Sequence, residues 1–452
     1  MKIVIIGAGI SGCAAYLTLR KHLPPPPSSS PTQDHEYTIY EAHPTSSSNP
    51  TIGGALGIAP NGLRVLERLD SDLLRDAVRG GYMVDHGNLK DKHGRVLMRL
   101  PCSSSITTTR GGSDKGKEIH LLGTSRHSIW QCLRARVPDE IIINKRVASV
   151  RAHATERNVV TFVDGSEPVE ADLVIGADGL WSVVRKALFD GEDAYPPHYE
   201  GLIGIGGFLP TPSNSDIPLP EAGSMNFLFS GSGFFGYFYS NTSSSTSLDG
   251  FDTSAYNISS SPGDTIAWWT TYSPPHTSTP PKNHDINIDM NDMLAQLHTR
   301  YTTWTDPLVH HILNSIQVES IYPTWTTPPL PTWSKEGIVL VGDAAHALPT
   351  TSGQGASQAL EDAEVLARLV AHEVGIIYQQ QMSGGMVSGI DIVSRVGEKQ
   401  ALQMACKKYM GMRMPRVQRI LDRARTVQGS KKDSRFGWVG EWVMYWGMWI
   451  LG

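Results

Sequence analysis

The first dozen residues constrain the fold of this chain more than any other stretch. An apolar, β-branched run at residues 2–6 leads directly into the sequence GAGISG at residues 7–12. The pattern predicts a strand, a tight turn and a helix start: Gly7 turns the chain, Gly9 lets the backbone approach a pyrophosphate, and Gly12 lets the helix pack on the strand. The free N–H groups of the helix N-terminus would then face the phosphates of a dinucleotide.

A glycine motif alone is weak evidence, so the sequence that follows it matters. Residues 37–41 predict a second strand, and Glu41 at its end is placed to accept hydrogen bonds from ribose hydroxyls. This acid comes later than the usual gap of about 20 residues because prolines 24–27 and the serines after them insert a polar loop. Without that loop the spacing is ordinary, so the sequence predicts a dinucleotide site rather than an unrelated glycine turn.

Composition argues against several classes of function. The chain has 452 residues, enough for about two or three domains, and a net charge of −5 with no long basic tract, which argues against nucleic-acid binding. Four scattered cysteines without a CxxC pair predict neither a disulfide framework nor a metal site. The apolar run after Lys2 breaks at Gly7, too early for a signal peptide, so we expect a cytoplasmic protein.

Two further stretches point to ligand contact. Residues 53–61 are rich in glycine and precede a helix, so they predict either a loop that passes close to a flat ligand or a plain connection. Thr124 and Ser125 can cap a following helix, with Arg126 in its first turn. A cation there is unfavourable for the helix dipole but suited to gripping an anion.

A second strand, turn and helix start is predicted at residues 172–185. Residues 172–176 have the apolar composition of a buried strand, and a turn containing Asp178 follows. Asp178 can hold sugar or phosphate neighbours, or it can cap the next helix, as Ser182 also could. The sequence leaves both roles open.

Residues 337–356 repeat the pattern a third time. A strand leads into GDAAH at residues 342–346, and a glycine-rich segment at 353–356 precedes a long helix predicted from Gln358 to about Glu373. An acid beside a glycine-rich helix start makes an anion-receptive site. His346 is either a proton-transfer residue or a structural histidine, and the sequence favours the structural role.

The region from 189 to about 330 has a different character. Short apolar segments separated by proline- and serine-rich stretches predict a β-sheet domain inserted into the nucleotide-binding domain. Tyr237 and Tyr239 lie two residues apart and would share one face of this sheet. Such a pair is either catalytic or part of the core, and the core is the commoner case.

Four blocks of sequence together resemble one enzyme family. GAGISG at 7–12, IYEAH at 39–43, GADGLWSVVR at 176–185 and GDAAHALPTTSGQGASQALEDA at 342–363 resemble the single-component FAD-dependent aromatic hydroxylases, which include enzymes like para-hydroxybenzoate and salicylate hydroxylase. The resemblance implies an α/β fold: a Rossmann-like FAD-binding domain of the GR2 type, an inserted antiparallel β-sheet substrate domain and a C-terminal helical tail. The expected division is 1–85, 118–188 and 318–375 for the FAD-binding domain, 86–117 and 189–317 for the substrate domain, and 376–452 for the helical region.

The resemblance also implies roles for individual residues. The FAD pyrophosphate would be surrounded by Gly7, Gly9, Ser11 and Gly12, the adenosine ribose by Glu41 and Ala42, and the flat ring by Gly54 and Ala55. Arg126 would clamp the phosphate or ribityl region, Asp343 would bind the ribityl chain, and Asp178 would contact both FAD and NAD(P)H. N–H groups near the isoalloxazine edge would come from Gly353, Gly355 and Ala356. The family often has two prolines after the GDAAH histidine. Here only Pro349 is found, so the local loop shape is expected to differ.

The implied activity is that of an FAD-dependent monooxygenase of secondary metabolism. FAD would be bound tightly but non-covalently, NADPH or NADH would visit transiently, and one atom of O₂ would be inserted through a flavin C4a-hydroperoxide into an aromatic, polyketide-like or alkene small molecule. Tyr237 and Tyr239 are the candidate catalytic residues. Two alternatives remain: a related flavoprotein without oxygen insertion, such as a halogenase or a reductase, and a non-catalytic FAD-fold binding protein. The lack of a WxWxIP-like segment disfavours a halogenase, and the intact blocks disfavour the binding protein.

The C-terminal segment 436–452 is rich in tryptophan. Its tryptophans at 438, 442, 446 and 449 would line one side of a helix. The segment is shorter than the about 20 residues that span a bilayer. It therefore predicts packing on the protein itself or on a second copy, as a monomer or a homodimer, or else peripheral membrane contact.

Overall fold

The computed structural model describes residues 1–27, 34–44, 54–102, 119–213, 216–230, 233–242, 259–273, 290–315, 320–383 and 390–429. The tryptophan-rich segment 436–452 lies outside these residues. So do residues 28–33 of the polar loop predicted after prolines 24–27, and residues 45–53, 103–118 and 243–258.

The described strands are β1 (Lys2–Ile6), β2 (Glu36–Glu41), β3 (Ala55–Ile58), β4 (Gly81–Val84), β5 (His86–Lys90), β6 (Val96–Pro101), β7 (Leu121–Ser125), β8 (Ile142–Asn144), β9 (Val147–Arg151), β10 (Asn158–Phe162), β11 (Val169–Ala171), β12 (Leu173–Gly176), β13 (His198–Pro210), β14 (Ser224–Ser230), β15 (Gly233–Tyr239), β16 (Thr265–Tyr272), β17 (Ser320–Thr326), β18 (Ser334–Lys335) and β19 (Ile338–Leu340). The described helices are α1 (Ile10–His22), α2 (Pro60–Leu69), α3 (Ser71–Arg79), α4 (Arg126–Arg134), α5 (Val183–Ala187), α6 (Met290–Tyr301), α7 (Pro307–Asn314), α8 (Asp343–His346), α9 (Gly355–Ser383) and α10 (Ile390–Gly429).

A six-stranded sheet organises the nucleotide-binding part of the molecule. Its strand order is β18-β19-β12-β1-β2-β8, and the pairings of β1 with β2 and β12, of β12 with β19, and of β2 with β8 are parallel. Ile3, Val4 and Ile5 are fully buried, because helices cover both faces of such a sheet and its strands are continuously apolar. The carboxyl ends of β2, β1, β12 and β19 therefore meet at one edge, and each is followed by one of the predicted site segments.

A seven-stranded sheet forms the second layer, in the order β17-β13-β16-β15-β14-β5-β6. All its pairings are antiparallel except that of β14 with β5. One face packs against α6 and α7 in a core of its own. Strand β17 lies after the expected boundary at residue 318, and it pairs with β13 in this sheet.

A three-stranded sheet, β3-β7-β4, lies next to the other face of the seven-stranded sheet. The sequence predicts a glycine-rich loop at 53–61, whereas Ala55–Ile58 forms a strand paired with β7. The strand does not require glycine at position 57, because a Cβ there would meet only side chains, at 3.7 Å or more. Another small sheet, β11-β10-β9, completes the described strands.

Two long helices close the described part of the chain. Helix α9 begins three residues earlier and extends further than the sequence predicts, and it packs against both α1 and α10. The Thr18 hydroxyl donates to the Ala363 carbonyl at 3.1 Å, which ties α1 to α9. None of the helices in the described ranges has an apolar stretch long enough to cross a membrane.

Candidate functional site

The turn after β1 is shaped by two glycines in close contact with other backbone. Gly7 has φ +102°, and a Cβ on it would lie 2.4 Å from the Ala177 carbonyl oxygen of the turn after β12. A Cβ on Gly12 would lie 1.9 Å from the Gly7 carbonyl oxygen. Neither position admits a larger residue. The contact of Gly7 with Ala177 brings the predicted segments 7–12 and 172–185 together.

Close contacts within the protein do not require glycine at position 9, because no atom of the structure lies within 4 Å of where its Cβ would be. Glycine instead leaves the backbone bare toward this open space. Gly9 is also the N-cap of α1; it provides no side-chain cap, and the first helical turn carries no acid. The helix therefore presents free N–H donors to an open space beside a bare backbone. This geometry fits a pyrophosphate, whose charge the helix terminus and its N–H groups stabilise.

Glu41 lies at the edge of this space. Its Oε2 accepts the Ala8 N–H at 2.7 Å and its Oε1 accepts the His43 N–H at 2.9 Å. Each carboxylate oxygen keeps a further lone pair, so the side chain can accept ribose hydroxyls as well. Glu41 thereby joins the turn after β1 to the segment after β2, which contains Ala42, the second predicted ribose contact.

Trp130 of α4 holds the same turn from the other side, a role the sequence reasoning missed. Its indole Nε1 donates to the Ala8 carbonyl oxygen at 2.8 Å. The sequence could have indicated this role, because Trp130 lies four residues after Arg126 and so shares one face of the predicted helix with it. Arg126 is thus placed on the side of α4 that faces the glycine turn.

Arg126 is the first residue of α4. Ser125 caps the helix by accepting the Ser128 N–H at 3.0 Å, as predicted. The Arg126 N–H donates to the Gly54 carbonyl oxygen at 3.3 Å, and Ala55 pairs with Ser125 in the β3–β7 ladder. Three predicted contacts, Gly54, Ala55 and Arg126, are therefore neighbours, and the Arg126 side chain is exposed.

Asp178 serves as a helix cap, the second of the two roles that its sequence context allows. Its Oδ2 accepts the N–H groups of Val183 at 2.7 Å and Val184 at 3.2 Å, and Ser182 accepts the Arg185 N–H at 2.9 Å. The other oxygen, Oδ1, is buried without a hydrogen-bond partner in the described part of the chain. Burial raises the pKa of Asp178, an effect that these backbone donors oppose.

Gly342 and Asp343 form the turn after β19. Gly342 has φ +58°, and a Cβ there would lie 2.2 Å from the Ser11 hydroxyl, so the third segment touches the first. Asp343 begins α8 and its side chain is exposed. Arg185, which the sequence reasoning did not single out, donates to the Ala344 carbonyl at 3.1 Å and so joins the second segment to the third.

The segment before α9 offers a second set of open backbone donors. A 3₁₀ turn at Thr350–Ser352 ends at Gly353, which has φ +57°, and the helix begins at Gly355. No atom lies within 4 Å of a Cβ on either glycine. Ala356 is half-buried at this helix start. The arrangement suits an electron-rich ring edge lying against the helix N-terminus.

His346 is buried in an ion-pair network rather than facing the open space. Its Nε2 lies 2.5 Å from Asp362 Oδ2, which also accepts the Gly342 N–H at 2.9 Å, and Arg413 donates to the other oxygen at 2.7 Å. Burial raises the pKa of Asp362, but the charges of His346 and Arg413 outweigh this and lower it to about 2. The structural role that the sequence favours for His346 agrees with this placement.

Tyr237 and Tyr239 point away from the edge where the other predicted residues meet. They are 2% and 0% exposed and lie in the core between the seven-stranded sheet and helices α6 and α7. Tyr237 is hydrogen-bonded to Lys90 at 3.0 Å and to Asp306 at 3.3 Å, and Tyr239 to the Pro220 carbonyl at 3.2 Å. This placement favours the core role over the catalytic role.

Comparison with known proteins gives a family match and more distant relatives. A family model described as "FAD binding domain" matches residues 308–375. Zeaxanthin epoxidase from Oryza sativa subsp. japonica is 24% identical over 81% of this chain but only 48% of its own length, so the chain spans about half of that relative. The 6-hydroxynicotinate 3-monooxygenase of Bordetella bronchiseptica is 25% identical over 81% of this chain and 82% of its own.

Among solved structures, Klebsiella pneumoniae HpxO in complex with FAD and uric acid matches with a TM-score of 0.68 and 18% identity. The match covers 100% of this chain and 93% of that chain. At this level of identity the likeness shows the fold, and it extends through both the parallel sheet and the seven-stranded sheet.

Proposed function

We infer that this chain belongs to the family of FAD-dependent aromatic hydroxylases and is a monooxygenase that consumes NADPH or NADH and oxygenates an aromatic or polyketide-like small molecule. The observation that carries this proposal is the meeting of Glu41, Gly9 and Asp343 at one edge of the parallel sheet. A second support is that the two relatives described above are named as an epoxidase and a monooxygenase.

We propose that the residues at this edge hold FAD along its length. The open backbone at Gly9 and the N-terminus of α1 would bind the pyrophosphate, and Glu41 the adenosine ribose. The exposed side chains of Arg126 and Asp343 would take the phosphate or ribityl region. The N–H groups around Gly355 would face the flavin edge, where a helix N-terminus stabilises negative charge.

Bound FAD supplies the hydride-accepting and oxygen-activating chemistry of such an enzyme. The chain's own contribution is to orient the ring and to keep water out of the reaction space. The strand pair β3–β7, in which Ala55 follows Gly54 next to Arg126, would form one wall of that space. No described residue is assigned as a general base.

An anaerobic experiment tests the proposal. The purified protein is examined for flavin absorbance, then mixed with NADPH or NADH in the presence and absence of phenols and polyketides, and finally exposed to O₂. We expect bound FAD whose reduction is accelerated by a compound that then gains one oxygen atom. Protein that remains colourless after FAD is added would overturn the proposal, and reduction that yields only hydrogen peroxide with every compound would favour a flavoprotein without oxygen insertion.

We also propose that the tryptophan-rich segment 436–452 covers an apolar surface, supported by the four-, four- and three-residue spacing of its tryptophans. The surface would belong to this protein, to a second copy or to a membrane. Truncation after residue 435 distinguishes them: a lower melting temperature indicates the first, loss of a dimer the second, and release from the membrane fraction the third. Full-length protein found wholly in the soluble fraction excludes the membrane.

A further inference from the structure

The seven-stranded sheet turns a continuous aromatic surface toward β3 and β7. Side chains alternate along each strand, so the neighbours of Phe235 and Tyr237 point away from the core that contains α6 and α7. We call this opposite face the aromatic wall. Its large residues are Phe208 on β13, Met225, Phe227 and Phe229 on β14, Phe234 and Phe238 on β15, and Trp269 on β16.

Trp269 is the centre of the aromatic wall. Its ring centroid lies 5.9 Å from that of Phe227 and 5.7 Å from that of Phe234, in edge-on or tilted orientations typical of aromatic pairs. The neighbouring strand makes room for the indole, because a Cβ on Gly236 would lie 2.5 Å from it. The wall is therefore a packed surface with a fixed shape.

The wall borders the proposed flavin site. Its buried part packs with Ala55 and Leu121 of the β3–β7 pair, and Ala55 follows Gly54, the backbone partner of Arg126. Phe227 and Trp269, by contrast, are only half-buried. A planar molecule can therefore contact the wall while it lies close to the strand that carries the predicted ring contacts.

The wall carries no charge. The strand segments 204–208, 225–229, 234–238 and 267–271 contain no Asp, Glu, Lys, Arg or His. The nearby Lys90 is on the other side of the sheet, where its Nζ donates to the Tyr237 hydroxyl. A substrate carboxylate placed against the wall would thus be desolvated without a partner from these strands, which is costly.

We propose that the substrate is an uncharged molecule with two or more fused or conjugated rings that lies against the aromatic wall. This inference rests on the proposed function and deepens it. A molecule of that class would cover Trp269 and Phe227 together, whereas a monocyclic aromatic acid would cover less of the wall and would find no partner for its carboxylate on these strands.

The test compares two ligands that differ in one charge: β-naphthol and a hydroxynaphthoic acid, with para-hydroxybenzoate as a monocyclic acid. Binding to the FAD-loaded protein is followed through the flavin absorbance, and the rate of flavin reduction by NADPH or NADH is measured with each compound. We expect β-naphthol to bind at least about tenfold more tightly than either acid, because one unpaired buried charge costs more than this factor represents. Equal or tighter binding of the hydroxynaphthoic acid, or no binding of β-naphthol, would overturn the inference.

Two matched substitutions locate the binding surface. Phe227→Ala should raise the dissociation constant for β-naphthol about tenfold, through lost stacking and lost apolar contact. Phe189→Ala removes a half-buried phenylalanine that packs against Tyr195 outside the wall in a tilted arrangement, and it should leave that constant unchanged. Trp269→Phe keeps an aromatic ring and serves if Phe227→Ala fails to fold; it should weaken binding to a smaller extent.

The outcomes separate this inference from the function on which it rests. Protein that binds no FAD, or whose flavin neither NADPH nor NADH reduces, contradicts the proposed function and withdraws the inference with it. Protein with normal flavin reduction that prefers the acids, or whose affinity for β-naphthol is unaffected by Phe227→Ala and Trp269→Phe, contradicts only the inferred substrate class.

Discussion

Asp362 on α9 joins His346 to Arg413: one carboxylate oxygen lies 2.5 Å from the His346 Nε2 and the other accepts the Arg413 Nε–H at 2.7 Å. All three side chains are buried, and the first oxygen also accepts the N–H of Gly342, the residue before Asp343. Arg413 on α10 is thus connected through the Asp362 carboxylate to the turn that contains Asp343, a proposed FAD contact.

Asp362→Asn should therefore weaken both the fold and the cofactor site. The substitution removes one of the two carboxylates that pair with the buried Arg413, while Glu361 remains as the other, so the loss should lie below the about 3–5 kcal/mol of unfolding free energy that breaking a buried ion pair typically costs. Chemical denaturation measures this loss, and flavin titration measures FAD affinity. Asp164→Asn, at an exposed turn, is the control and should change neither quantity. Wild-type stability in the Asp362 variant would show that the network does not hold the turn.

The same carboxylate predicts a pH dependence. The pKa of Asp362 falls from 3.8 to about 2 on folding, so its contribution to stability is present above pH 4 and is lost as the pH falls toward 2. The difference in unfolding free energy between wild type and Asp362→Asn should shrink by about 1 kcal/mol between pH 5 and pH 3. Urea unfolding at both values measures it, and a difference that grows on acidification would contradict the assignment.

Two glycine substitutions should separate cofactor binding from folding. Gly9→Ala places a methyl group in open space, so the melting temperature of the FAD-free protein should hardly change while FAD affinity falls. Gly12→Ala collides with the Gly7 carbonyl and should destabilise the FAD-free protein itself. Thermal unfolding with and without FAD distinguishes the two. If Gly9→Ala binds FAD as wild type does, the pyrophosphate does not lie there.

Arg126→Ala should reduce FAD affinity about tenfold or more without lowering the stability of the FAD-free protein, because the side chain is exposed. Arg126→Lys should restore part of the affinity, since lysine keeps the charge but not the planar fork. Fluorescence titration with FAD gives both values. Arg151→Ala, an exposed arginine on β9, is the control, and equal losses in the two alanine variants would point to a general charge effect.

Tyr237→Phe and Tyr239→Phe test the catalytic role predicted for these residues. Because both side chains lie in the core, we expect turnover of the FAD-loaded variants to stay within about twofold of wild type. Tyr237→Phe should lower stability by about 1 kcal/mol through its lost hydrogen bonds. Steady-state kinetics and denaturation measure these effects. A collapse of turnover with stability preserved would restore the catalytic assignment.

Much of the geometry of the candidate cofactor site was predictable because its determinants are local. Gly7, Gly12 and Glu41 stand at spacings that only a strand, a turn and a helix explain, and Ser125 caps α4 through a contact three residues away. Parallel pairing of strands that end in glycine-containing turns then brings these turns to one edge, so the sequence alone indicated a dinucleotide-binding fold.

What the sequence could not determine depends on contacts between residues distant in the chain. Whether Asp178 caps a helix, whether His346 faces a ligand, and whether residues 55–58 form a loop or a strand were all decided by tertiary partners: the amides of α5, Asp362 and Arg413, and β7. The alternation of side chains along β15 predicts that Tyr237 and Tyr239 lie on one face of the sheet, but it does not determine which face packs against the core. Helices α6 and α7 decided that, and so assigned Phe227 and Trp269, rather than the tyrosines, to the face that borders the proposed flavin site.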